Sequence, residues 1–510
     1  MNLKEIYKEA AVLDAPEFAE HVEVVHPYTG ESIKPKDYQL TGLWEALSQD
    51  NHRFGLYDTM GSGKSLISYL YAVYHAGRGN QVLVVMPPKL MKQYRSNLFG
   101  MFKGLEGKVR CEIFHGTPKK REELKQAWQW KDCPEIIVTS FEIFRRAWAM
   151  FSGWFMCDVV IVDEAKFLGN WNNGTSQALD GFMGELGRRA ALVMNGTPAR
   201  NDLLNLFGYI MFTSPEAYRD EEQFKRKHIS YDSFFVERPG RGGRKRQLRV
   251  KKIAGYKNQD ELYQNLYKRG RRVEVAPPTA VEMLYKEFDL SDRHMKEYRE
   301  MVDNKLLEFE DGSILDLTQA SSMRHICMQA VIDPSKVGLK EEGSVMETVR
   351  EMLEEVDFDK TKVLLAAYYQ HTVETLVETL KEYGAVALYG KVSGGKAEAA
   401  KQKFLTDPDC KVLVINYESG GVGLDGLQDV CHVGIAVEPG SIPGDFDQTV
   451  ARLARSGQKH GVQFWNLVVS GTLYSRIIRD RTRKANAIDQ VVVAHSNITK
   501  EDLRRELLGE

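Results

Sequence analysis

In the stretch "LYDTMGSGKSLISYL", residues 56–70, Gly61, Ser62, Gly63, Lys64 and Ser65 follow a short apolar run and open an apolar-periodic segment. Glycines let main-chain N–H groups close on a phosphate, and a helix beginning there adds the favourable end of its dipole. Lys64 can then reach the β and γ phosphates of a nucleotide, and Ser65 can ligate magnesium. The stretch departs from the strict pattern G-x-x-x-x-G-K-[ST], because Asp58 occupies the first glycine position. An incidental glycine turn is the alternative for these residues alone.

Two further groups carry chemistry. "VVIVDEAK" ends an apolar run in Asp163 and Glu164. Beside a phosphate loop, one carboxylate can hold magnesium while the second orients an attacking water; as a solvated pair they would only cap a following helix. In "QTVARLARSGQ", Gln448, Arg452 and Arg455 fall at i, i+4 and i+7 and share a helical face. Two arginines so placed can stabilise the charge of a phosphoryl-transfer transition state, or form a plain basic surface.

The elements that must position these residues are short apolar runs ending in Gly, Ser, Asp or Pro and alternating with helix-like stretches, the texture of buried parallel strands in α/β domains. The first region holds "RFGLYD", "QVLVVMPP", "EIIVTS", "DVVIVDEA" and "AALVMNGTP"; the second holds "KVLLAAYY", "AVALYG", "KVLVINYES", "HVGIAV" and "FWNLVV". Each chemical group follows a strand, where doubly wound sheets bind ligands. From about residue 215 to 345 the texture changes to a strongly basic hairpin-like stretch and then to charge-rich helices. Eight Arg/Lys residues lie between Glu237 and Lys252, among them Arg241, Arg244, Lys245 and Arg246. Leu248 and Val250 alternate there with Arg249 and Lys251, as in a strand beside a Pro-Gly/Gly-Gly turn.

Composition narrows the classes. With 510 residues, 43% hydrophobic and 27% charged, the chain has room for two or three domain cores. Its net charge of −2 excludes a global polycation, so any nucleic-acid contact must use local basic surfaces. The six cysteines show no C-x-x-C pair or metal spacing and read as buried or free thiols of a reducing compartment. No apolar run approaches the ~20 residues that span a bilayer, and the opening "MNLKEIYKEAAVLDAPEF" lacks the apolar core of a signal peptide. The expected location is the cytoplasm of a bacterial or phage-infected cell, without membrane contact.

In series, these residues resemble the Swi/Snf-like branch of superfamily 2 helicases and DNA translocases, in a compact phage or bacterial form. "DTMGSGKS" is similar to the family's D-E-M-G-L-G-K-T, in which the first glycine is routinely absent, so Asp58 fits. "KDYQLTGLWEAL" resembles the Q motif, implying that Gln39 reads adenine. "VLVVMPPKLMKQY" and "VTSFE" resemble motifs Ia and Ib; the positions that would touch the DNA backbone are Pro88, Lys89, Lys92 and Gln93, then Thr139 and Ser140. "VDEAKFLGN" resembles D-E-A-H-x-x-K-N, and "MNGTPARNDLLNLFGYIMFTSPEAY" resembles motif III. "INYESGGVGLDGLQDV" resembles motif V, where Ser419, Gly420 and Gly421 would meet DNA and Gly423 would link to the nucleotide. "QTVARLARSGQ" matches Q-x-x-G-R-x-x-R-x-G-Q except at Ala451. Two further departures are Lys166, where histidine is usual, and Asn195, where threonine or serine is usual. Lys166 is either a substitute contact linking hydrolysis to movement or a surface lysine.

The resemblance implies an α/β fold of two RecA-like parallel-sheet lobes, with a helical and β-hairpin insertion between them and a helical C-terminal tail. The expected divisions are a helical segment over 1–30, a first lobe over 31–215, an insertion over 216–345 with its basic hairpin at 231–256, a second lobe over 346–480 and the tail over 481–510. ATP and Mg2+ are the implied cofactors. Lys64, Glu164, Arg452 and Arg455 are the implied catalytic set; Gln39, Gly61, Ser62, Gly63, Lys64, Ser65, Gly423, Arg452 and Arg455 would hold nucleotide, and Ser65 and Asp163 the metal. The implied partner is duplex, forked or branched DNA, held through phosphates, and the implied task is fork remodelling or branch migration. Alternatives are a duplex-tracking remodeller that displaces bound proteins, a chromatin remodeller, an RNA helicase, and a non-enzymatic ATP- and DNA-binding scaffold.

Overall fold

The apolar runs fold as strands. In the computed structural model, which describes residues 24–25, 30–49, 53–102, 109–128, 132–184, 190–239, 245–307, 317–338, 344–390, 392, 395–417 and 424–492, a small antiparallel pair, β1 (Val24–Val25) and β2 (Ser32–Ile33), precedes β3 (Arg53–Leu56), β4 (Val82–Met86), β5 (Cys111–Phe114), β6 (Ile136–Ser140), β7 (Val159–Val162) and β8 (Ala190–Met194). The chain then forms a separate antiparallel ribbon, β9 (Ile229–Pro239) with β10 (Lys245–Tyr256), and adds β11 (Gly270–Arg271) to the edge of the first sheet beside β3. That sheet is parallel, in the order β11-β3-β8-β7-β4-β6-β5.

A second parallel sheet contains β12 (Val281–Phe288), β13 (Lys362–Ala367), β14 (Val386–Leu388), β15 (Val412–Asn416), β16 (Cys431–Ala436) and β17 (Val462–Val469), in the order β12-β17-β16-β13-β15-β14. In β13, Val363, Leu365 and Ala367 enter one apolar cluster and Leu364 and Ala366 another. Both faces are therefore covered, which explains an unbroken apolar run instead of alternation. Two units result, one built mainly from the described residues up to 227 with 258–275, the other from 228–257 and 276–490. These are the two parallel-sheet lobes expected.

The structure goes beyond the sequence reading of residues 216–345. That stretch supplies the hairpin but also an edge strand to each sheet, β11 to the first and β12 to the second. The hairpin ladder runs from Ile229↔Tyr256 to Lys245↔Pro239, with an irregularity between Ile253 and Gly255; Arg241 and Arg244 lie outside the described residues. All six cysteines are buried and free. No helix of the described residues is long and apolar enough to cross a membrane.

The second unit carries a buried carboxylate that the sequence did not single out. Glu438, just past β16, accepts from Tyr368 N (2.7 Å), Tyr369 N (2.9 Å) and Thr372 Oγ1 (2.7 Å) at the start of the helix Gln370–Thr379. Burial pushes it up to about 7, although these hydrogen bonds favour its ionised form. With its pKa higher folded than unfolded, Glu438 binds its proton more tightly in the native state, and its contribution is lost as pH rises from about 4.5 through 7. Between pH 5 and 8 the wild type should therefore lose about 3 kcal/mol relative to Glu438→Gln, as read from urea unfolding at each pH.

Candidate functional site

Sheet order brings the chemistry together. β3, β8 and β7 are neighbours, so their carboxyl ends place the phosphate loop, the segment Asn195-Gly196-Thr197 and the acidic pair Asp163-Glu164 side by side. The loop turns through Gly61 (φ 81°) and Gly63 (φ 79°), which precedes the helix Lys64–Gly77. A side chain at Gly63 would be strained by the left-handed backbone, and its Cβ would lie 2.3 Å from Gln39 Nε2, displacing that amide. Ser65 and both loop glycines are exposed, while Ser62 is buried.

Lys64 Nζ donates to the loop's own carbonyls, Asp58 O (2.6 Å) and Thr59 O (2.9 Å). Burial lowers its ammonium to about 8, opposed by the charges of Glu164, Asp58 and Asp163. Burial and the Glu164 charge push Asp163 up to about 7, while Lys64 and a hydrogen bond from Glu164 N to Asp163 Oδ1 (2.9 Å) pull it down. Glu164 itself has φ 52°, a conformation rare for its side chain and typical of functional positions. Its main chain is pinned around that angle: Ala165 N donates to Met194 O (3.0 Å) and Lys166 N to Glu164 O (2.6 Å).

Asp58 does structural work. Fully buried, its Oδ1 accepts from Val273 N (2.7 Å) and Arg271 Nε (3.3 Å), and Arg271 also pairs with Glu45 (3.1 Å). The next residue, Arg272, donates to Tyr57 O (3.2 Å) and Gly196 O (3.1 Å). A carboxylate at this position thus locks the root of the loop to β11, where a glycine would leave Arg271 its pair with Glu45 but remove the side-chain acceptor of Arg271 Nε and Val273 N.

Asn195 is similarly integrated. It donates through Nδ2 to Tyr209 Oη, Tyr209 Oη donates to Ala165 O (2.8 Å), and Thr197 N donates to Asn195 Oδ1 (3.0 Å). The end of β8 is thereby tied to the backbone that carries Glu164. Lys166 opens the short turn Lys166–Gly169 with its side chain half-buried.

Other expected residues fall as follows. Gln39 lies against the loop, donating to Ser62 O (3.0 Å) and accepting from Lys36 N (2.9 Å). Pro88, Lys89 and Lys92 are exposed beyond β4, and Gln93 is half-buried. Thr139 and Ser140, expected to touch a nucleic-acid backbone, are buried, and their hydroxyls bond within the protein. Thr139 Oγ1 donates to Phe114 O (2.9 Å), and Ser140 Oγ accepts from Ile143 N (3.4 Å) as the cap of the helix Phe141–Gly153. Ser419, Gly420, Gly421 and Gly423 lie outside the described residues.

In the second unit the shared helical face of Gln448, Arg452 and Arg455 needs correction. The helix Pro443–Leu453 carries Gln448 and Arg452, both buried, but Ala454 leaves helical geometry (ψ 58°) and Arg455 lies beyond it. A carboxylate reunites the arginines: Arg455 Nη1 pairs with Asp425 Oδ1, which is 4.0 Å from Arg452 Nη1. Asp425 follows the glycine-rich stretch, but an acidic residue after glycines has no distinctive signal of its own.

The donor set suits a small hard cation. Among the described residues no group of three or more His, Cys, Asp or Glu side chains gathers. A half-buried carboxylate at Asp163 with the exposed Ser65 is nonetheless the hard-oxygen pair that magnesium takes alongside phosphate oxygens and water.

Comparison with known proteins agrees with this arrangement. The family profile described as SNF2-related domain matches residues 38–332, more than half of the chain. The DNA repair and recombination protein RAD54-like of Drosophila ananassae is 25% identical over 553 residues, covering 96% of this chain and 67% of the relative. An uncharacterized ATP-dependent helicase of Mycoplasma pneumoniae is 23% identical over 491 residues, and the match covers 93% of this chain but 44% of that protein. Among solved structures, the Sulfolobus solfataricus SWI2/SNF2 ATPase core in complex with dsDNA aligns with TM-score 0.38 at 18% identity, covering 95% of this chain and 98% of that one.

Proposed function

This chain belongs to the SNF2-related domain family, and on that premise we propose that it is an ATP-dependent DNA translocase that steps along duplex DNA. The observation that carries the reading is the meeting of the phosphate loop, the Asp163-Glu164 pair and Asn195-Gly196 at the ends of three adjacent strands. The names of its relatives, a RAD54-like recombination protein and an ATP-dependent helicase, support the same activity.

Each residue then has a task. The N–H groups around Gly61 to Ser65 receive the phosphates, and Lys64 exchanges its two carbonyl partners for phosphate oxygens. Gln39, beside Ser62, reads adenine. Ser65 and Asp163 would hold magnesium, which supplies charge neutralisation between the phosphates. Glu164 orients the attacking water and takes its proton. Arg452 and Arg455 neutralise the transferring phosphoryl group during the cycle, after surrendering Asp425. Lys89 and Lys92, with Ser419, Gly420 and Gly421, contact DNA phosphates, so binding is weakly sequence-specific and falls with salt.

A finer reading, remodelling of forks and branches, is favoured by the β9–β10 ribbon. It belongs to neither sheet, and its sequence is densely basic, so it suits a wedge or phosphate contact at a junction. ATP hydrolysis and strand displacement measured side by side on single-stranded, duplex, forked and four-way DNA test both levels. Duplex DNA should stimulate hydrolysis at least about tenfold. Deleting residues 239–246 should abolish displacement on forks while sparing duplex-stimulated hydrolysis; equal loss of both, or of neither, rejects the wedge. Stimulation by RNA but not DNA rejects the translocase reading.

A further inference from the structure

The segment that leads from the first unit into the second is hydrogen-bonded along the root of the phosphate loop. Gly55 N donates to Arg269 O (3.0 Å), Tyr57 N to Arg271 O (2.8 Å) and Thr59 N to Val273 O (3.0 Å). Val273 N and Arg271 reach Asp58, and Arg272 reaches Tyr57 O and Gly196 O. The last link is Val275 N donating to Thr59 Oγ1 (2.9 Å). Thr59 Oγ1 has its other contact on the same segment, at Val273 O (3.4 Å).

The division between the units falls after Val275. Beyond it come Ala276, Pro277, Pro278, Thr279 and Ala280, and Ala280 O already accepts from Val462 N (2.8 Å), with Val281 paired to Val462 in the second sheet. The chain bends at Pro278 and Thr279, and two consecutive prolines, each with its φ locked, hold that bend, so this short connector behaves as a stiff corner rather than a slack linker. One end is bonded to the residues that precede Gly61, the other to β12 and β17.

We infer that residues 269–280 form a strap that carries displacement of the phosphate loop into the second unit's sheet, with Thr59 as a positioning residue and Pro277-Pro278 as the stiff element. The inference rests on the translocase reading above. When Lys64 leaves the carbonyls of Asp58 and Thr59 for phosphate, the loop root shifts. The ladder from Gly55 to Thr59 passes that shift to Val275, and the proline pair delivers it to β12. A slack strap leaves hydrolysis intact but wastes it.

The test measures ATP consumed per base pair travelled, using full-length chain on duplexes of increasing length that end in a triplex-forming strand. Replacing both prolines (Pro277→Gly with Pro278→Gly) should leave DNA-stimulated hydrolysis within about twofold of wild type while ATP per base pair rises at least about threefold. Thr59→Val, which keeps the main-chain carbonyl that holds Lys64 but cannot accept from Val275 N, should raise the same ratio. Wild-type ratios in both variants, or hydrolysis and travel falling together in proportion, would overturn the strap. A wild-type chain that shows no DNA-stimulated hydrolysis would overturn the translocase reading and the strap with it.

Discussion

Glu164→Gln is expected to lower DNA-stimulated ATP hydrolysis at least about a hundredfold, the scale of losing a positioned general base, while leaving the thermal unfolding midpoint nearly unchanged. The amide has the carboxylate's shape but cannot accept the water's proton. Its main chain will hold the same unusual angle, φ 52°, because that angle is imposed by neighbours: Met194 O, Tyr209 Oη and the Lys166 N–H bond all act on the backbone. Steady-state hydrolysis and a melting curve on the same sample check both halves. Retention of activity within a few-fold would remove Glu164 from the chemistry and favour a scaffold that binds ATP and DNA without using the energy.

Gly208→Ala is expected to cost about 3 kcal/mol of stability, at the upper end for overpacking. A Cβ on Gly208 would lie 1.9 Å from Leu168 O and 3.0 Å from Leu168 C, and these are main-chain atoms that cannot swing away. The helix Leu206–Thr213 would have to separate from the turn Lys166–Gly169. That movement also breaks the Tyr209–Ala165 hydrogen bond (2.8 Å) and displaces Glu164. Urea unfolding should show the loss of stability, and hydrolysis at a permissive temperature should fall as well. Gly153→Ala, where nothing lies within 4 Å of the added atom, should do neither.

The ten strands expected from continuous apolar runs are present, and most are buried along nearly their whole length, the edge strand β14 and β17 less so, leaving little polar alternation to blur the pattern. Three sheet strands were not legible. β5, "CEIF", mixes charge into four residues, β11 has two residues, and β12, "VEMLYKEF", is an edge strand whose exposed Met283 and Tyr285 and alternating charges resemble linker sequence. The candidate nucleotide site was readable because its loop and acidic pair sit directly after strands at fixed spacing. Its supports were not, since they come from far along the chain: Arg271 meets Asp58 across 213 positions, and Asn195 reaches Ala165 only through Tyr209. Nothing in "KRGRRVEV" distinguishes two loop-bracing arginines, Arg271 buried and Arg272 half-buried, from a solvated basic turn. At Asn195, where the resemblance expects threonine or serine, the amide instead joins Tyr209 Oη and Thr197 N at the end of β8. The Arg455 placement failed because a helical face was extended past Ala454, one residue beyond the helix.

The central claim is that hydrolysis drives travel along intact duplex DNA. Displacement of a triplex-forming oligonucleotide from one end of a linear duplex, with ATP present, measures that travel without requiring strand separation. The account predicts displacement that needs ATP, slows as the approach length grows, and vanishes in Glu164→Gln. Vigorous DNA-stimulated hydrolysis without displacement, or displacement undiminished in Glu164→Gln, would contradict it.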